Sequence, residues 1–379
     1  MKRLLSILCI LLTLSMLAVP AAATEVVEEA SLYEYLPTVH GNRVLSNKED
    51  SPLWGKSALF LGDSICCNRA EQQISPLTAG WPGRIGPAYD MRWKNVGYSG
   101  ATVSLTRDNN TTDQLLSERG TQYDLLVFQG GINDAYSGVS LGRMQPEDVR
   151  DVESFQLNTY AGSLEGLFAR AKREFRGAKL FYIIHHTTPN SKSSSDLSKP
   201  NVPKGNPQDY VNLTRAICEK WGVYYLNLYD DETFNTEIFD TANNLKNCMW
   251  PDLLHMSSHG YDVLTPYIIS FMEDALLKEE NAEFLQLVDA LDTEQTPEER
   301  FTALRRAIEL YTAMNDSEKG FFDDEYDTLY FAIDDYNTLA EEINTDASAA
   351  TDIVPLLCMS RANDLLAGLW LSTKNKKKD

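Results

Sequence analysis

The chain has 379 residues, of which 43% are hydrophobic, and a formal net charge of −21. That length suits roughly two or three domains with a substantial buried core. The charge argues against nucleic acid as a partner, because phosphate binding draws on clustered Lys and Arg, and against electrostatic attachment to an anionic membrane.

The first element is a targeting segment. Lys2 and Arg3 precede an apolar run from Leu4 to Val19, and the small residues Ala21 and Ala23 follow it. This basic, apolar, A-x-A order predicts a secretory signal peptide over residues 1–23, cleaved after Ala23. A retained anchor is the alternative, but the run is short for a bilayer span. No later stretch is long and apolar enough to cross a membrane. The expectation is a secreted protein of bacterial type, extracellular or on the cell surface, with no stable membrane span after cleavage. Cys66, Cys67, Cys218, Cys248 and Cys358 remain beyond the leader. An odd number leaves a free thiol or a partner on another chain, and sequence sets neither the pairing nor the oligomeric state.

A polar lead-in occupies residues 24–50, and strand-like runs then alternate with helical patterns. "SALFLGD", "YDLLVFQGG", "AKLFYIIHH" and "GVYYLNLYD" read as strands, and "RWKNVGYSG" contains a weaker one. Helical periodicity predicts helices over 152–175, 209–221 and 261–277. Apolar strands alternating with amphipathic helices imply a parallel sheet covered on both faces, an α/β three-layer sandwich over 51–280. Residues 187–207, rich in Ser, Pro, Asn and Lys, read as a long loop, either a binding loop or a surface excursion.

Residues 281–379 read as a small all-α module with a basic tail. Between Asn281 and Asp346 the net charge is roughly −14, the pattern of a solvated helical surface. Phe301, Leu304, Ile308 and Tyr311 share one helical face, as do Phe322, Tyr326, Leu329, Ile333 and Tyr336. Thr296 and Pro297 supply a cap and a first helical position. The rhythm is similar to small three-helix repeats appended to secreted bacterial proteins, and a surface partner is one role for such a module.

In parallel α/β sheets, sites form beyond the carboxyl ends of the strands. There the sequence places Gly62-Asp63-Ser64, then "NVGYSGATV", then "GGIND", and finally "DLLH", with Asp252 three residues before His255. Asp63 and Ser64 alone read equally as a helix cap. Together with the other segments they have complementary chemistry. A serine hydroxyl needs a base to take its proton, and His255 qualifies if Asp252 holds its other ring nitrogen. The oxyanion formed on attack needs fixed donors, which the Ser64 amide, the Gly100 amide and the Asn133 side chain can supply.

These four blocks, in this order, resemble the SGNH subgroup of GDSL-type esterases and lipases over about residues 55–275. The resemblance implies a flavodoxin-like sandwich. It also implies Ser64 as nucleophile, His255 as base, Asp252 as its orienting acid, and Ser64, Gly100 and Asn133 as the oxyanion hole. Asp63 would be structural. The chain departs from the pattern at "ICCN" after the serine and at "HMSSHG" after the histidine, which leaves the required groups in place and the shape of the pocket open. His255 and His259, four apart, match a zinc spacing but lack the glutamate of the HExxH motif, so neither metal nor cofactor is expected. His185 and His186 end the fourth strand and border the cleft, as substrate contacts or plain polar strand ends. The expected activity is hydrolysis of a small O-acyl ester, such as acetate, on an extracellular carbohydrate. Lipid or thioester hydrolysis is the second expectation, and a secreted binding or adhesion protein the third.

Overall fold

A computed structural model describes residues 45, 47–67, 80–189, 191–193, 195–239, 248–293 and 296–343. The proposed leader, most of the lead-in, Cys358 and the basic tail lie outside the described residues.

In chain order the elements are β1 (Ser57–Leu61), α1 (Ser64–Cys67), α2 (Pro82–Ala88), β2 (Arg92–Asn95), α3 (Thr111–Ser117), β3 (Leu125–Gly130), α4 (Ile132–Ser137), α5 (Tyr160–Glu174), β4 (Lys179–Ile184), α6 (Pro207–Trp221), β5 (Tyr224–Asn227) and α7 (Glu232–Phe239). They are followed by α8 (Ser258–Glu280), α9 (Ala282–Leu291), α10 (Pro297–Ala313), α11 (Asp316–Phe321) and α12 (Asp323–Ile343). The sheet is parallel throughout, in the order β2-β1-β3-β4-β5. This is the flavodoxin-like order, whose switch point lies between β1 and β3.

The strands form because their side chains are buried on both faces. Leu59, Leu61, Leu126, Phe128, Leu180, Tyr182 and Ile184 point into one core, shared with Leu164, Leu167 and Phe168 of α5 and Val211 and Ile217 of α6. Phe60, one residue out of phase, meets Trp81 edge-on at 5.2 Å. Phe181 likewise meets Phe271 of α8 at 5.7 Å. Alternate residues thus serve opposite layers, and the run stays apolar.

Helix boundaries shift where local capping decides them. The pattern over 152–175 splits into a 3-10 turn at Val152–Ser154 and α5, because the Thr159 side chain accepts the Gly162 amide and starts the helix afresh. α6 begins two residues earlier than periodicity suggests, with Pro207 at its first turn. Ser257 caps α8, so the helix starts directly after the "DLLH" block.

Beyond Glu280 the chain is helical, as the pattern predicts. Thr296 and Glu299 form a reciprocal capping box at α10. Leu304, Ile308, Tyr311, Phe322, Tyr326, Leu329 and Ile333 pack in one core, while the side chains of Phe301 and Tyr336 lie outside the described set. That core also takes in Leu277 of α8 and Leu45, and Ser317 Oγ donates to Asp50 Oδ2 at 2.6 Å. Helical packing after residue 280 is therefore continuous with the end of α8.

Candidate active site

Three blocks follow the carboxyl ends of β1, β2 and β3, while "DLLH" comes after α7 and just before α8, and all are held by contacts no periodicity reveals. Gly62 ends β1 where a Cβ would lie 2.5 Å from the Gln129 carbonyl oxygen, so only glycine fits against β3. The Gln114 side-chain amide clamps its backbone, accepting from Gly62 N at 2.8 Å and donating to Gly62 O at 2.9 Å. Ser64 follows at the start of α1, and Tyr261 of α8 donates to the Ile65 carbonyl at 2.9 Å, fixing that turn.

The "DLLH" block folds into a tight turn around Asp252. Leu253 adopts a left-handed conformation, φ 54°, which a branched residue rarely takes. That turn brings the amides of Leu254 and His255 onto Asp252 Oδ1, each at 3.0 Å. Asp252 Oδ2 then accepts from His255 Nδ1 at 2.6 Å. A carboxylate only accepts, so the proton belongs on Nδ1 and Nε2 keeps its lone pair. Nε2 lies 2.8 Å from Ser64 Oγ, in place to take its proton. Burial disfavours charge on Asp252, but the bonds from the His255 ring and the two amides outweigh it and hold the carboxyl below its usual value.

Of the oxyanion donors proposed from the sequence, Gly100 follows β2 and Asn133 follows β3, on either side of β1. Gly100 has φ +82°, which favours glycine, and Asn133 opens α4 behind the left-handed Gly131. Asn133 Nδ2 donates one hydrogen to Ala101 O at 2.9 Å, leaving the second available. Asp134 accepts the amides of Val103 and Ser104 at 2.8 and 2.9 Å. The Asn-Asp pair thereby grips the whole segment that carries Gly100. Both Asp134 and Asp63 are buried carboxyls, each pushed up to about 6 by desolvation against opposing amide bonds. Asp63 Oδ1 accepts the Ile65 amide at 2.9 Å, and its Oδ2 has no partner.

His185 and His186 differ from the expectation of a substrate contact: they are 2% and 0% exposed. Position at a strand end does not imply exposure here: the His185 ring packs edge-on against Tyr229 and the His186 ring lies beside Phe239. Burial pushes the two rings down to about 4 and about 3, so both stay neutral. His259 is exposed on the first turn of α8, and both His255 ring nitrogens already have partners. Among the described residues no three His, Cys, Asp or Glu side chains gather as a metal site. Cys66, Cys67, Cys218 and Cys248 are buried free thiols. Burial pushes the Cys66 thiol up, away from reactive thiolate.

Several positioning groups carry little sequence signal. The loop after β4 spans the site: Lys192 N donates to Asp252 O at 2.7 Å, Tyr136 of α4 pairs with Ser191 at 2.5 Å, and Gly205 N donates to Ala135 O at 2.9 Å. It braces the acid turn against the helix carrying Asn133. Arg107, Gln114 and Tyr136 belong to no motif read from the sequence, and the left-handed turn at Leu253 is not visible in the letters of "DLLH". Only the "D" of "GGIND" offered a hint, and that hint was Asp134.

A protein from Lactobacillus plantarum is similar in structure, with 21% identity and a TM-score of 0.46, matched over 58% of this chain and 98% of its own. A carbohydrate acetylesterase family member from Sinorhizobium meliloti is similar at 14% identity and a TM-score of 0.40, over 58% of this chain and 99% of its own. The psychrotrophic esterase EstA from Pseudoalteromonas sp. is similar at 20% identity and a TM-score of 0.36, over 60% and 99% of the two chains. No curated protein sequence matches the chain. The model of the GDSL-like lipase/acylhydrolase family matches residues 60–263, from the end of β1 into α8, and the chain belongs to that family of ester hydrolases.

Proposed function

We infer that this chain is an exported serine esterase that removes small O-acyl groups, acetate foremost, from an extracellular carbohydrate. The observation that carries the chemistry is the unbroken relay from Ser64 Oγ through the His255 ring to Asp252. Ser64 Oγ attacks the ester carbonyl carbon while His255 Nε2 takes its proton, and Asp252 steadies the imidazolium. The Ser64 and Gly100 amides and the free Asn133 hydrogen receive the oxyanion. Collapse expels the alcohol, which takes the proton from His255 and leaves an acyl-Ser64. A water molecule then repeats the attack with the same base and releases the acid.

Support for a sugar alcohol comes from two exposed aromatics beside the site. Tyr98 is 56% exposed, and its amide bonds Gly62 O at 2.9 Å; Trp250 is 45% exposed, and its amide bonds His255 O at 2.8 Å. Such rings offer a flat apolar face to the C–H face of a pyranose. A second reading, hydrolysis of a longer acyl chain, draws on Leu197 and Val202, exposed on the long loop. Export rests on the leader pattern, and no described helix is long and apolar enough to cross a membrane.

The test compares acid release from acetylated oligosaccharide with release from triglyceride, using p-nitrophenyl acetate as the reference ester. Ser64→Ala should abolish all turnover in a folded protein, and a serine-directed phosphonate should inactivate the wild type. Turnover by folded Ser64→Ala at the wild-type rate would remove the serine mechanism. Preference for triglyceride would replace the carbohydrate reading with the lipid one.

A further inference from the structure

We propose that Arg107 is a recognition residue for a carboxylate on the alcohol portion of the substrate, so that the preferred ester is carried by an acidic sugar such as a uronate. This rests on the acetyl-carbohydrate reading above and goes beyond it by naming the charge of the sugar.

Arg107 is exposed and spans the two elements that hold the oxyanion donors. Its Nη1 donates to Gly100 O at 3.0 Å, and its Nη2 donates to Ser137 Oγ, at the end of α4, at 2.6 Å. A Cβ built on Gly100 would lie 3.9 Å from Nη1, which places the guanidinium directly over the Gly100 backbone. Two of its five N–H groups are thereby used. The guanidinium is held in a fixed orientation, with its remaining donors free of any described acceptor.

Charge is the second observation. In a chain of net charge −21, Arg84, Arg119 and Arg306 meet Asp262, Glu174 and Glu283, whereas Arg107, like Arg92, Arg143 and Arg176, makes no described ion pair; Arg107 differs from those in being bonded to the backbone of Gly100 and to Ser137. No described carboxylate pairs with Arg107. A fixed cation without a counter-ion, beside the amide that receives the oxyanion, is a receptor for an external carboxylate, which a guanidinium binds with two parallel bonds. The acyl side of an acetyl ester is too small to reach past the oxyanion donors. The carboxylate therefore belongs to the alcohol. A negative group there also offsets the repulsion that an acidic protein exerts on an acidic substrate.

The experiment uses the full chain and two monoacetates: that of methyl galactoside and that of the same sugar with C6 oxidised to a carboxylate. For wild type, kcat/KM should favour the acidic sugar by about tenfold, through KM. Arg107→Gln should bring that ratio close to one, and Arg107→Lys should keep part of it. If Arg107 only braced Gly100, the substitution would lower both rates equally and leave the ratio intact, which overturns the proposal. A wild-type ratio near one also overturns it. Cleavage of p-nitrophenyl acetate with no cleavage of either sugar ester would instead mark failure of the carbohydrate reading, and the proposal falls with it.

Discussion

Replacing Asp63 by Asn isolates the energetic effect of a buried acid next to the nucleophile. Asp63 is 1% exposed, and burial raises its pKa from 3.8 to about 6. The folded chain thus holds this proton more tightly than the unfolded chain. Its stabilising contribution is full below about pH 4 and is lost as pH rises through about 6. Between pH 5 and pH 8 the loss is about 1.4 kcal/mol. Asparagine cannot ionise, and its oxygen still accepts the Ile65 amide. Its NH₂ points where Oδ2 has no partner, at a cost of about 1–3 kcal/mol that does not depend on pH. Urea unfolding of both proteins at pH 5 and pH 8 separates the two contributions. The variant's stability relative to wild type should improve by about 1.4 kcal/mol from pH 5 to pH 8. Asp134 titrates in both proteins, and its charge is one of the groups that raise Asp63. A difference that stays constant with pH would refute the argument that burial holds the Asp63 proton.

Asn133→Ala should lower kcat for p-nitrophenyl acetate by roughly 10²–10³, with less effect on KM, as expected for a lost oxyanion donor; an unchanged kcat would take Asn133 out of the hole. Lys220 and Glu165 form a fully buried ion pair at 2.5 Å, so Lys220→Met should cost about 3–5 kcal/mol in urea unfolding, because it strands a charge. The double variant Glu165→Gln, Lys220→Met should regain much of that loss, and a double variant as unstable as the single one would argue that packing decides. A chain ending at Glu280 should hydrolyse a small ester at close to the full-length rate, since every site residue precedes α9. It should also melt at a lower temperature, because Leu277 and Leu45 lose their cover. A folded but inactive protein would assign the helices after 280 a part in the site.

Sequence alone determined the elements whose cause is local or periodic. The doubly buried strands were legible because both faces of a parallel sheet are covered, which leaves an unbroken apolar run such as Ala58–Leu61. The "GDS", "GGIND" and "DLLH" blocks were legible because a serine and an amide at strand ends, with a His-Asp pair later in the chain, have one shared use. Capping at Thr296 was legible because it involves neighbours three residues apart. Tertiary structure decided whatever depends on residues far apart in the chain. His185 and His186 are chemically suited to touch substrate, yet the fold buries both. The pattern after residue 280 reads as self-contained, but its core recruits Leu277 and Leu45. Above all, Ser64 and His255 are 191 positions apart, and the 2.8 Å between them depends on the left-handed Leu253, the Gln114 clamp on Gly62 and the Tyr261 bond to Ile65. Each is a long-range or strained contact with no periodicity, so the sequence carries the chemistry of the site while the packed fold supplies its geometry.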